Sequence, residues 1–120
     1  MDFETLMTKD NAIFFMDMVD SVKSPNFVPV LFKPRPYIKL LQNKGEDYQR
    51  FIGLYAMMKY ILSEREVFVL DSIYGINKEK ATFEEIGKML NLSRSRIAHI
   101  RNDAEVKLVR ELIWYFEIKR

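Results

Sequence analysis

Apolar residues recur at helical spacing along most of this sequence, and the pattern predicts an all-α protein. A first helix is expected over 8–22, with Thr8 or Asp10 as its cap. Its apolar residues, Ile13, Phe14, Met16, Met18 and Val19, surround the helix rather than forming one stripe, so it should be buried or paired. Residues 24–36 then hold every proline of the chain, Pro25, Pro29, Pro34 and Pro36, which excludes a helix interior. Phe27, Val28, Val30, Leu31 and Phe32 lie among them. The segment reads as an extended strap packed on the domain, with a flexible linker as the alternative.

Helix returns over 37–43 and stops at Lys44-Gly45. The next runs over about 46–61, with Phe51, Leu54, Tyr55, Met58 and Ile61 spaced by three and four. Ser63-x-x-Glu66 is a capping box that opens a helix over 64–74, and Gly75 stands where a C-terminal glycine belongs. A polar loop over 76–81 leads to a second capping box, Thr82-x-x-Glu85, and a short helix over 83–90. Asn91-Leu92 makes a turn, and Ser93 can cap a last long helix from about 94 to 117. Two units are expected: 1–45, an N-terminal helix and proline-rich strap, and 46–120, a helix-turn-helix domain.

The stretch from Thr82 to Leu108 carries the functional signal. A short helix with Ile86 and Leu90 inward, then a turn of three to four residues, then a second helix is the spacing of a helix-turn-helix. Gly87 inside the first helix costs about 1 kcal/mol against alanine, which points to a close approach by the second helix. At about 100° per residue, Ile97, Ile100, Ala104 and Leu108 share the core face of the second helix. The opposite side carries Ser95, Ala98, His99 and Asn102, flanked by Arg94 and Arg96, with Arg101 nearer the core edge.

Small and short polar residues let a helix sit deep in a major groove. Arg94, Ser95, His99 and Asn102 are therefore the candidate base contacts. Thr82, Ser93, Arg96 and Arg101 are the candidate phosphate contacts. The same arginines would also suit a merely solvated face, His99 an ordinary surface position, and Ser93 a cap alone.

Charge supports the first reading through its distribution. The net charge is only +2, yet residues 93–120 hold seven Lys/Arg against four Asp/Glu, and the remainder twelve against thirteen. The chain has no cysteine and one histidine, so disulfides, thiolate sites and multi-histidine zinc sites are excluded. No apolar run approaches the roughly 20 residues of a membrane span, and the acidic start is unlike a signal peptide. A cytoplasmic protein is expected. No cofactor is implied, and catalysis has no support: Glu84-Glu85 and Glu64/Glu66 sit in first helical turns, where they suit caps and the helix dipole.

Leu62–Val109 resembles the fourth conserved region of bacterial primary sigma factors. The resemblance is carried by Leu62-Ser-Glu-Arg-Glu-Val-Phe-Val-Leu70, Tyr74-Gly75, Thr82-Phe-Glu-Glu-Ile-Gly-Lys-Met-Leu90, Leu92-Ser-Arg-Ser-Arg-Ile-Ala-His-Ile100, then Ala104, Lys107 and Leu108. It implies binding to a promoter's upstream hexamer through the major groove, and contact with the RNA polymerase flap. By position, Arg94, Ser95 and His99 match the family's base-reading places, and Arg96 a backbone-contact place. Ser95 stands where glutamate is usual, His99 where glutamine is, and Ala98 where arginine is, so a different preferred sequence is implied. Glu105 replaces a core leucine, with Val106 beside it, and a rotated or differently packed helix is one expectation there. No counterpart of the sigma region that melts DNA is found, which implies a small sigma-like regulator of the sort phages and mobile elements carry.

Three functions follow from these residues. The first is a double-stranded DNA-binding transcription regulator. The second is a protein-interaction module reusing the fold. Leu112, Ile113, Trp114, Tyr115, Phe116 and Ile118 favour it, because they exceed what one helix face buries and leave a homodimer open, although packing within the chain is the preferred expectation. The third is a DNA-packaging or recombination accessory.

Overall fold

The computed structural model of the chain describes residues 3–31 and 34–119. Its elements are α1 (Phe3–Leu6), α2 (Lys9–Met18), α3 (Tyr37–Gln42), α4 (Glu46–Met58), a 3₁₀ turn (Lys59–Ile61), α5 (Glu64–Tyr74), α6 (Phe83–Leu90) and α7 (Arg94–Phe116). No strand occurs among the described residues, so the fold is all-α.

Each boundary has a local cause. Thr8 caps α2 by accepting the amide of Asn11. The helix ends at Met18, four residues short of the expectation, and Asp20 takes a left-handed φ of 55°. Both capping boxes form: Ser63 and Glu66 exchange hydrogen bonds at the start of α5, as do Thr82 and Glu85 at the start of α6. Gly75 ends α5 at φ 69°.

The proline-rich segment is irregular, as its prolines require, and packing of its middle on the domain is not shown: only Phe27 of its described apolar residues is half-buried. Val28 and Val30 are exposed, and Leu31 is 85% exposed. Phe32, also assigned to the strap, lies outside the described residues. The segment is anchored at its ends instead. Ser24 is buried and its hydroxyl donates to Asp17, and Tyr37 is buried at the start of α3.

The core runs without a break from Ala12 to Ile118. Its centre is aromatic. Phe15 stacks on Phe51 at 4.9 Å between centroids, and Tyr37 stacks on Phe51 at 5.8 Å. Tyr74 meets Tyr37, Phe51 and Tyr55 edge-on at 5.0–5.3 Å. Tyr48 donates to the Tyr74 carbonyl at 3.0 Å, and Tyr55 donates to Asp71 at 2.8 Å. Thus α2, α3, α4 and α5 converge on one cluster, and α7 closes it with Ile97, Ile100, Ala104 and Leu108, all buried.

Two ties bind α7 to the rest. Lys107 reaches Glu66 at 2.8 and 3.0 Å. Burial alone would raise the Glu66 carboxyl, but hydrogen bonds from Lys107 and Ser63 outweigh it and hold it below the usual range. Glu105, only 3% exposed, accepts the Tyr74 hydroxyl at 2.8 Å and faces Arg35 at 3.5 Å. The helix is not rotated at this point: Ala104 and Leu108 stay inward and Val106 stays outward. The protein accommodates a carboxylate at the core position by giving it a tyrosine and an arginine as partners.

At the C-terminal end of α7, Leu112 and Ile118 are buried and Ile113 and Phe116 half-buried. Trp114 and Tyr115 are exposed, so packing within the chain covers only part of this cluster. No described helix is long and apolar enough to cross a membrane.

Candidate nucleic-acid interface

The helix-turn-helix is built from α6, a three-residue turn and α7. Asn91 ends α6 in the left-handed region at φ 56°, a conformation asparagine tolerates, and its amide closes on Gly87. Leu92 also donates to the Gly87 carbonyl, at 2.8 Å. A Cβ on Gly87 would stand 2.5 Å from the Leu92 carbonyl oxygen. The close approach that the glycine permits is therefore made by the turn backbone, not by the axis of α7. Ser93 then caps α7 by accepting the Arg96 amide at 3.0 Å.

This turn sets which side of α7 faces outward. Arg94, Ser95, Arg96 and His99 are all exposed. None has an ion-pair partner among the described residues, and the first turn of the helix carries no acidic residue. The exposed group therefore combines two cations with the positive end of the α7 dipole. Ala98, between them, is half-buried. Ser93 and Thr82 are exposed at the two helix starts. Each uses its oxygen as a cap acceptor, which leaves the hydroxyl proton as a donor.

The remaining two candidates differ from this group. Arg101 is half-buried and turned back onto the fold. Its guanidinium lies over the Phe83 ring at 4.9 Å and donates to the Tyr37 hydroxyl at 3.4 Å and to Asn102 Oδ1 at 3.1 Å. Asn102 is exposed, yet its carbonyl oxygen accepts a second bond, from Arg35 Nη2 at 2.8 Å. Arg35 was not a sequence candidate. It lies 67 positions away and no local pattern marks it. The one available signal was Glu105, a carboxylate in a core register that needs a cation near it.

Glu105 is the most perturbed carboxyl here. Burial pushes it up to about 7, against the pull of Arg35, Arg101 and the Tyr74 hydrogen bond. Among the described residues no group of acidic, histidine or cysteine side chains is arranged to hold a metal ion.

Residues 61–108 match the family model described as Sigma-70, region 4. The matched segment runs from the end of the 3₁₀ turn through α5, α6 and about the first two thirds of α7, and so includes the elements that build the exposed face. No curated protein and no solved structure was found to match the chain.

Proposed function

We propose that this sigma region 4-like helix-turn-helix protein is a sequence-specific, double-stranded DNA-binding regulator of transcription, with α7 as the helix that enters the major groove. Arg94, Ser95, His99 and Asn102 face base edges, and Thr82, Ser93 and Arg96 face phosphates, while Arg101, held against Phe83, Tyr37 and Asn102, braces this face from its edge. One observation carries the reading: a capped, tight turn presents Arg94, Ser95, Arg96 and His99 together, exposed and without internal partners. Arg94 and Arg96 supply phosphate attraction and guanine-reading forks, and Ala98 is small enough to let the helix sit deep in the groove.

RNA polymerase contact belongs to the same proposal. Trp114 lies twenty residues beyond Arg94, on the order of 30 Å along the helix, too far to share one groove contact. Its exposure, with that of Tyr115, suits a protein partner rather than DNA. A helix-turn-helix monomer binds weakly by itself, and a second contact of this kind raises its effective affinity.

Selection from random duplexes at fixed salt tests the proposal. An asymmetric site of about half a helical turn is expected from one copy of α7. Failure to enrich any sequence over the starting pool contradicts it and favours the use of Trp114 and Tyr115 in a protein-interaction module.

A further inference from the structure

Asn102 faces the same side of α7 as Ser95 and His99, but its amide is not free to turn. Arg35 Nη2 and Arg101 Nε both donate to Oδ1, at 2.8 and 3.1 Å. Two guanidinium donors at one position require an acceptor, so the flipped amide, with its NH₂ against two cations, is excluded. The orientation is held from below. Arg35 directly precedes Pro36, which biases its backbone away from the helical region, and its carbonyl accepts the Ile38 amide at the start of α3. Its Nε stands 3.5 Å from Glu105, whose other oxygen takes the Tyr74 hydroxyl at 2.8 Å. A chain of contacts thus runs from the aromatic core through Glu105 and Arg35 to the exposed face of α7.

We propose that Arg35, outside the matched helix-turn-helix, is a specificity-positioning residue that makes Asn102 a donor-only reader of DNA. The inference rests on the DNA-binding reading above. Asparagine recognises adenine bidentately by accepting from N6 with Oδ1 while donating to N7. With Oδ1 occupied twice, Asn102 offers only N–H donors. Guanine presents two acceptors, O6 and N7, side by side, and thymine presents O4. Adenine presents its N7 beside a donor that the occupied oxygen cannot answer. The base facing Asn102 is therefore guanine or thymine, and adenine is disfavoured.

The experiment is selection from random duplexes with the full chain, its Asn102→Ala variant and its Arg35→Met variant, each checked for helical content and cooperative melting. Wild type is expected to enrich one position for guanine or thymine over adenine. Asn102→Ala, a change at an exposed position, should flatten that position alone. Arg35→Met should move it toward adenine by about tenfold in the base ratio, the scale of one good base contact. A merely structural role for Arg35 would lower affinity at every position without changing this preference. The inference is overturned if wild type prefers adenine there, if Asn102→Ala leaves every position unchanged, or if a folded Arg35→Met keeps the wild-type preference. If wild type enriches nothing, the DNA-binding reading itself fails and this inference with it. Enrichment with an Asn102-independent pattern sinks the inference alone.

Discussion

The Leu92 carbonyl oxygen occupies space that any side chain on Gly87 would need, 2.5 Å from where a Cβ would stand. The neighbour is backbone in a tight turn, so it cannot give way as a flexible side chain would. Gly87→Ala should therefore destabilise the fold by about 1–3 kcal/mol, even though alanine is the better helix former by about 1 kcal/mol. Denaturant melts check the stability. The same variant should weaken DNA binding, because α7 takes its direction from this turn. A Gly87→Ala protein as stable as wild type would show that the turn can move.

Glu105 gives the fold a pH dependence of unusual sign. Its carboxyl titrates near 7 when folded, against an ordinary value of 4.5. Below about pH 4.5 both states are protonated and the group has no effect. As pH rises from there, the unfolded chain ionises first while the folded protein keeps its proton, so stability falls until the folded carboxyl also ionises. The loss between pH 5 and pH 8 should be on the order of 1–3 kcal/mol. Arg35, Arg101, Tyr74 and Tyr37 are the groups that face it. Glu66 acts in the opposite sense, but below pH 4.5, as its salt bridge with Lys107 is lost. Chemical melts across pH 5–8 should show the decline in wild type and its absence in Glu105→Gln, which keeps an acceptor for Tyr74.

Trp114 is the only tryptophan and is 74% exposed. Its fluorescence should be long-wavelength and readily quenched by acrylamide. Trp114→Ala should change stability by no more than about 0.5 kcal/mol, as for an ordinary surface position. A blue-shifted, protected tryptophan in the isolated protein would mean that this surface is already covered by a second copy.

Much of the fold was legible because its signals are local. The capping boxes at Ser63 and Thr82, the helix stop at Gly75 and the apolar spacing of Ile97, Ile100, Ala104 and Leu108 each act within a few residues. The face of α7 was legible for the same reason: once the core side is known, Arg94, Ser95, Arg96 and His99 must point away from it. What escaped is what depends on distant segments. Apolar residues between prolines suggested a packed strap, but periodicity cannot say whether Val28, Val30 and Leu31 find a surface, and they do not. Nor does any pattern connect Arg35 with Asn102, since their meeting depends on where the segment before α3 lies relative to α7. Glu105 was visible as an oddity in the core register, but its tyrosine and arginine partners were not.

The most direct test of the account is the salt dependence of duplex binding, measured for wild type and for Arg94→Ala and Arg96→Ala. If α7 lies in the groove, log affinity should fall linearly with log salt. A substitution that removes a phosphate contact, as expected for Arg96→Ala, should weaken binding and lower the slope by about one. Arg94→Ala should cost about 1–3 kcal/mol and relax the preference at one base position. Two folded variants that bind with wild-type affinity and slope would contradict the placement of α7 on DNA.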